Sequence, residues 1–295
     1  MTLSPRMSSG APGLDALLGG GLLPGALTVV LGATGIGKTQ LGVQFAEAGR
    51  QAEGQPGVLF DMNARVDAQN HAAYAQRMRS WSLSPGDPER RAALDEFFRP
   101  DRPAIDYLHV FRQDGRRLTR SEVSFDIWHD WQAELSSRLA ATIEFFYAAF
   151  TRGVRRAVVD GVDPAERQSD SVQFELFEYI YHQILRKESD WVARDLFRER
   201  FRAHADEVAA HAYDHRQIAC LLLLTSHETM LEGLIERPLG DSDLLAGANT
   251  VLCLGKIRDG HRLRRALYVA KHRGSACSDE IAYYRITDAG LEIES

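Results

Sequence analysis

Short apolar runs rich in β-branched residues recur along the chain, separated by stretches with helical spacing. Ala26 to Leu31 (ALTVVL) is ended at once by glycine and predicts a buried strand. After Gly32 to Thr39, residues Gln40 to Arg50 set Leu41, Val43 and Phe45 among good helix formers and predict a helix. Gly57 to Met62 and Ile105 to Phe111 read as a second and a third strand. Between them Arg77 to Pro103 mixes a helix-like stretch (PERRAALDEFF) with four prolines, the composition of a surface insertion.

From Asp126 to Phe150 the residues Trp128, Trp131, Leu135, Leu139, Ile143 and Phe146 form one apolar stripe, so a long helix is expected. Arg156 to Asp160 and Ile218 to Ser226 read as the fourth and fifth strands. The connection between them looks helical over Val172 to Leu185 and over Trp191 to His215, which suggests an extra helical hairpin on the sheet near residues 185–215. The tail alternates strand-like runs, Thr250 to Leu254, Leu263 to Ala270 and Ile281 to Ile286, with a turn at Asp259-Gly260. Strands spaced by helical segments need crossover connections, so the expected class is α/β: a mostly parallel sheet flanked by helices, closed by an antiparallel meander. The whole chain, 1–295, is read as one domain.

Composition narrows the classes. The 41 acids outnumber the 35 Lys and Arg, a formal charge of −6 that advertises no standing affinity for nucleic acid or anionic membrane. The 3 cysteines are widely spaced with no CxxC, which suggests neither a disulfide framework nor a zinc site. The longest apolar run, Ile218 to Leu224, is far short of a membrane helix, and the N-terminus lacks an apolar signal core, so a cytoplasmic location is expected.

The chemistry concentrates in one place. Gly32, Gly37, Lys38 and Thr39 satisfy G-x-x-x-x-G-K-[ST] between a predicted strand and a predicted helix. In such a loop backbone N–H groups turn inward around phosphate oxygens, the helix N-terminus adds a positive field, the lysine reaches the terminal phosphates and the hydroxyl binds Mg²⁺. The expected nucleotide contacts are Gly32, Ala33, Thr34, Gly35, Ile36, Gly37, Lys38, Thr39 and Gln40. A P-loop also needs an acid to hold the metal at the end of an apolar strand; Asp160 supplies it, with Asp163 as the alternative carboxylate. ATP and Mg²⁺ are therefore the expected ligands, with Thr39 and Asp160 on the metal.

The segment Ser9 to Gly21 (SGAPGLDALLGGG), then Pro24-Gly25 and the P-loop, resembles the opening of KaiC-like and RadA-like ATPases in the RecA superfamily. Arg264 to Leu267, Lys271 to Ser275, Tyr284 to Thr287 and Gly290 are similar to the end of a KaiC domain. The resemblance brackets residues 8 to 293 and leaves the insertions near 77–103 and 185–215 without a match. It implies a RecA-like core binding ATP, and self-assembly into a hexameric ring or a filament whose sites are completed by neighbours. It assigns Lys271 and Arg273 to the adjacent subunit's γ-phosphate, where a cation stabilises charge developing on the transferring group. His227, after the fifth strand, matches a polar residue that senses the γ-phosphate.

One departure bears on rate. The family ends its second strand with glutamates that polarise the attacking water, and here Asn63 and Ala64 occupy those positions, with Asp61 on the same face as Asn63 as a substitute from further inside. Binding with slow hydrolysis is expected. The functional expectation is a nucleotide-dependent oligomeric switch; the alternatives are a DNA-binding recombination ATPase and a scaffold gated by nucleotide without hydrolysis. The recombinase reading is weakened because Gly161 to Ser171 and Glu228 to Leu245 are acidic where recombinases bind DNA. His204, His211 and His215 share a helical face at spacings of seven and four, but the first two would stand about 10 Å apart along the axis and cannot share an ion. His211 and His215 lack an identifiable third ligand, so a polar helix edge is the reading, and Trp128 and Trp131 read as packing.

Overall fold

Aliphatic runs pair as the sequence pattern anticipates, in a computed structural model that describes residues 6–63, 71–90, 93–111, 125–162, 171–236, 247–274 and 276–294, with side chains 125–137 and 172 excluded. The elements are α1 (Leu14–Leu17), β1 (Leu27–Gly32), α2 (Lys38–Ala52), β2 (Val58–Asp61), α3 (His71–Arg79), β3 (Tyr107–His109), α4 (Phe125–Thr151), β4 (Arg156–Val162) and α5 (Val172–Tyr179). There follow α6 (Ser189–Phe197), α7 (Ala205–Ala210), β5 (Ala219–Thr225), α8 (Leu231–Glu236), β6 (Thr250–Asp259), β7 (Arg262–His272), β8 (Ala282–Thr287) and β9 (Gly290–Ile293).

The fold is α/β. One sheet runs β3-β2-β4-β5-β1-β6-β7-β8-β9, parallel from β3 through β6 and antiparallel from β6 to β9. Strand side chains alternate between two apolar layers. Val29, Leu222 and Val159 face α4, α5 and α6, whereas Val30, Leu221 and Val158 face α1, α2 and α3. Because both faces are covered, the central strands read as unbroken apolar runs. β1, whose end carries the glycine loop, lies between β5 and β6, and β4 lies just beyond β5.

Several expectations need correction. The third strand is short, Tyr107–His109, rather than reaching from 105 to 111. The PERRAALDEFF stretch shows a single 3₁₀ turn, Leu94–Glu96, among its described residues. Phe97 is pulled into the core against Tyr147 and Phe197, so packing overrides helical periodicity here and the insertion is not merely surface. The second arm of the expected hairpin is not one helix: α6 stops where Arg198 takes φ 48°, a 3₁₀ stretch follows, and α7 ends at Ala210. Trp191, counted with its apolar stripe, is 59% exposed. The histidine face dissolves with that helix. His204 contacts Glu207 and Asp95, His211 stacks on Phe98, and no cluster of three or more metal-ligating side chains occurs among the described residues.

The meander is longer than its apolar runs indicated. β6 and β7 pair from Thr250 to His272 around Gly260-His261, and β9 adds a strand with no strong sequence signal. The stripe of α4 is buried at Ile143 and Phe146 and half-buried at Leu139; the side chains of Trp128, Trp131 and Leu135 lie outside the described residues, as do Ala64, Asp163 and most of the two acidic loops. No helix among the described residues is long and apolar enough to cross a membrane.

Candidate functional site

β1 ends at Gly32, and the chain curls through Ala33 to Gly37 before α2 begins at Lys38. The curl needs glycine where φ is positive. Gly37 has φ 111°, and a Cβ there would stand 2.9 Å from Ile286 Cδ1 of β8. The meander also supports the loop from outside, since the Tyr284 hydroxyl donates to the Ile36 carbonyl at 2.8 Å. Thr34 and Gly35 are exposed, while Ala33, Ile36 and Gln40 are buried. Lys38 is 4% exposed, and its Nζ donates to the carbonyls of Gly32 at 2.8 Å and Ala33 at 3.0 Å, so its charge is folded over the loop. A glycine loop, a helix N-terminus and a buried cation therefore meet, which is the arrangement that suits phosphate.

The expected acid stands beside this loop. The Thr39 hydroxyl donates to Asp160 Oδ2 at 2.7 Å, and Asp160 Oδ1 accepts from the Gly161 N–H at 2.7 Å. Asp160 is 1% exposed. A bulge follows it, with register shifting between Asp160 and Val162, and Gly161 at φ 94° lies so close to Asn63 that a Cβ would stand 2.4 Å from its N. A hard divalent cation prefers oxygen ligands, and a threonine whose proton is directed at a carboxylate leaves its oxygen lone pairs available, so Thr39 and Asp160 fit Mg²⁺.

A residue that the sequence reading did not single out links this acid to the second strand. His71, the first residue of α3, has a side chain only 2% exposed; its Nε2 lies 3.0 Å from Asp160 Oδ2 and its Nδ1 3.3 Å from Asp61 Oδ2. Burial alone would lower its pKa, but the hydrogen bonds and charges of Asp160 and Asp61 prevail and raise it to about 10. His71, Ala75 and Met78 fall at helical spacing and are the buried face of α3, which aims the imidazole inward, but the spacing alone does not mark its two carboxylate partners.

Asp61 is fully engaged. Its Oδ1 accepts from the Asn63 N–H at 2.9 Å and from Asn63 Nδ2 at 2.6 Å, and its Oδ2 accepts from the Tyr107 hydroxyl at 2.8 Å. Burial works to raise its pKa, yet His71, His109 and the Asn63 N–H outweigh it and hold the carboxyl at about 2. So weak a base, with both oxygens occupied, does not suit the role of substitute water activator. Asn63 is itself buried and committed to Asp61.

The remaining candidates separate into two places. His227 is exposed, two residues past Thr225, which pairs with Gly32, so it stands level with the loop. Lys271 and Arg273 do not join the cluster. Lys271 pairs with Val251, and the Arg273 N–H donates to the carbonyl of Asn249, whose own N–H donates to Leu27. Arg273 is thus level with Leu27, five residues and about 16 Å before Gly32. Partial burial and the neighbouring Arg273 lower the pKa of Lys271.

Residues 7–78 match the model of a protein family described as the KaiC ATPase. The chain is 34% identical over 95 residues to the circadian clock protein KaiC2 of Synechocystis sp., a stretch covering 32% of this chain and 16% of that protein. It is 30% identical over 123 residues, 41% of this chain, to the circadian clock oscillator proteins KaiC of Thermostichus vulcanus and of Thermosynechococcus vestitus. In each of these two the match covers 23% of the relative's length. The family match contains the glycine loop and His71.

Proposed function

We propose that this chain, a KaiC-like ATPase of the RecA superfamily, binds Mg-ATP in the Gly32–Gln40 loop and works as a nucleotide-dependent oligomeric switch with slow hydrolysis. The observation that carries the reading is the juxtaposition of the Lys38 loop with the Thr39–Asp160 hydrogen bond. Loop N–H groups and Lys38 bind the phosphates, Lys38 exchanging its two carbonyl partners for phosphate oxygens. Thr39 and Asp160 hold the metal, which when bound neutralises charge on the β- and γ-phosphates. His227, exposed two residues past the end of β5, donates to a phosphate oxygen in this reading.

Slow turnover follows from Asp61. A positioned general base contributes about 10² to 10⁴-fold in rate, and the carboxylate nearest to that task is held by Asn63, Tyr107 and His71. Assembly follows from the distant cations. The backbones of Lys271 and Arg273 stand level with Val29 and Leu27, about 10 and 16 Å before Gly32 along the sheet, which favours contact with another copy's nucleotide over their own. A ring or filament in which one copy's loop meets the next copy's Lys271 and Arg273 gives both groups a role.

The test mixes Lys38→Ala with Arg273→Ala protein and measures phosphate release. Each alone is expected to be inactive, and co-assembled mixtures to recover turnover because a mixed junction pairs an intact loop with an intact arginine. No recovery in confirmed mixed assemblies overturns the shared site. A thermal melt equally insensitive to Mg-ATP in wild type and Lys38→Ala overturns nucleotide binding itself.

A further inference from the structure

Asp160 needs a support that its own strand does not give. The bulge after it and the positive φ of Gly161 interrupt the ladder where the side chain leaves β4, and the neighbouring Gly161 N–H fixes only Oδ1. The other oxygen, Oδ2, meets Thr39 and is held from the opposite side by His71. His71 is in turn backed by Asp61, and Asp61 by Asn63 and Tyr107, so a continuous chain of polar contacts, buried at its middle, runs from the sheet edge at β3 to the hydroxyl of Thr39.

We infer that His71 is a positioning residue for the metal site: it holds the Asp160 carboxylate against the Thr39 hydroxyl, so the two oxygen groups that take Mg²⁺ are assembled before the metal arrives. The inference rests on reading Gly32–Gln40 as the nucleotide loop. Two features distinguish this role from an ordinary structural ion pair. Two carboxylates converge on one imidazole, one anion more than the imidazolium itself balances, whereas a structural pair matches one to one. The rest of the buried α3 stripe is Ala75 and Met78, among which an apolar side chain would pack at lower cost than a buried ionisable one.

Outer groups that orient a metal ligand contribute about 10- to 100-fold to metal affinity. The expected signature is therefore selective. ATP affinity measured by calorimetry in EDTA should change little in His71→Gln, while the gain in affinity on adding Mg²⁺ should fall by about tenfold. His71→Ala, which removes both contacts, should lose more of that gain, and His71→Gln, which keeps one donor, less. Thermal melts of the nucleotide-free variants report folding; if His71→Ala does not fold, His71→Gln and His71→Asn decide the matter. A folded variant that keeps the wild-type magnesium gain overturns the positioning role, and so does an equal loss of affinity with and without magnesium, which marks general structural damage. Lys38→Ala is the control on the premise. Wild-type ATP affinity in that variant would overturn the nucleotide loop and the inference with it, whereas a lost affinity there combined with an unchanged magnesium gain in His71→Gln overturns the inference alone.

Discussion

Strand β4 carries a buried charge at each end, and the two are built differently. At its start Arg156 is fully buried, and Nε and Nη2 donate to the two carboxylate oxygens of Glu53 at 2.7 and 2.8 Å. Its Nη1 donates to the carbonyls of Ser8 at 2.7 Å and Phe45 at 2.9 Å, and the guanidinium also lies over the Phe45 ring. One cation meets one anion, and the fork is filled by fixed groups from the N-terminal segment and α2. At the other end Asp160 and Asp61 share the single His71, beside the Thr39 hydroxyl and the glycine loop. Balanced charge staples three parts of the chain, whereas under the proposed function the second carboxylate around His71 serves a cation.

The largest effect that sharpens this contrast is at the balanced end. Removing one partner of a buried ion pair costs about 3–5 kcal/mol because the other charge is left uncompensated. Arg156→Met should lower unfolding free energy in urea by about that amount, and the double variant Arg156→Met with Glu53→Leu should recover most of it, because an apolar pair of similar volume removes the buried charge. The ATP affinity of folded Arg156→Met should match wild type. A loss of affinity comparable with the stability loss would break the division of roles along β4.

The two ends were unequally legible in the sequence. The loop and Asp160 stood out because phosphate binding demands glycine at positive φ, a lysine and an acid at fixed places between strand and helix, and that demand survives as spacing. The parallel core was legible because strands buried on both faces are apolar throughout. His71 was not, since one histidine on a short helix looks like any other until β2 and β4 bring two carboxylates to it from residues 61 and 160. The same reason hid Arg156, whose partners Ser8, Phe45 and Glu53 are over a hundred residues away. Tertiary packing also overruled local periodicity at Phe97, which traded a helix for burial against Tyr147 and Phe197. The helical reading past residue 197 failed at Arg198, whose φ of 48° has no signal in its neighbours.

At the surplus end the effect is smaller on stability and larger on ligand response. With Mg-ATP at about 100 times Kd, the wild type should gain roughly 2.7 kcal/mol. Asp160→Asn keeps an acceptor oxygen for Thr39 and removes one of two negative charges, so without nucleotide it should cost only about 1–2 kcal/mol. Its gain from Mg-ATP should fall to the value measured with ATP in EDTA. Comparing melts of Asp160→Asn and Arg156→Met under the two conditions separates the ends: the first loses the magnesium response and the second keeps it. An Asp160→Asn protein that retains the full magnesium response would show that the surplus charge has another purpose.

A further expected effect is a slope with pH, read from urea unfolding in EDTA without nucleotide. His71 has its pKa raised from 6.5 to about 10 by Asp160 and Asp61 against the opposing pull of burial. A raised histidine binds its proton more tightly in the folded state, so its stabilisation is complete below pH 6.5 and is lost as pH rises through 10. Between those limits one such group lowers stability by at most about 1.4 kcal/mol per pH unit. On the acid side the sign reverses: Asp61, held at about 2 against an ordinary 3.8, contributes fully above 3.8 and loses its contribution as pH falls through 2. Wild type should therefore weaken from pH 7 to pH 10 while His71→Gln, which has no proton to lose there, should change less. Parallel curves for the two proteins would show that the imidazole is not held charged between its carboxylates, and the contrast between the two ends of β4 would then rest on geometry alone.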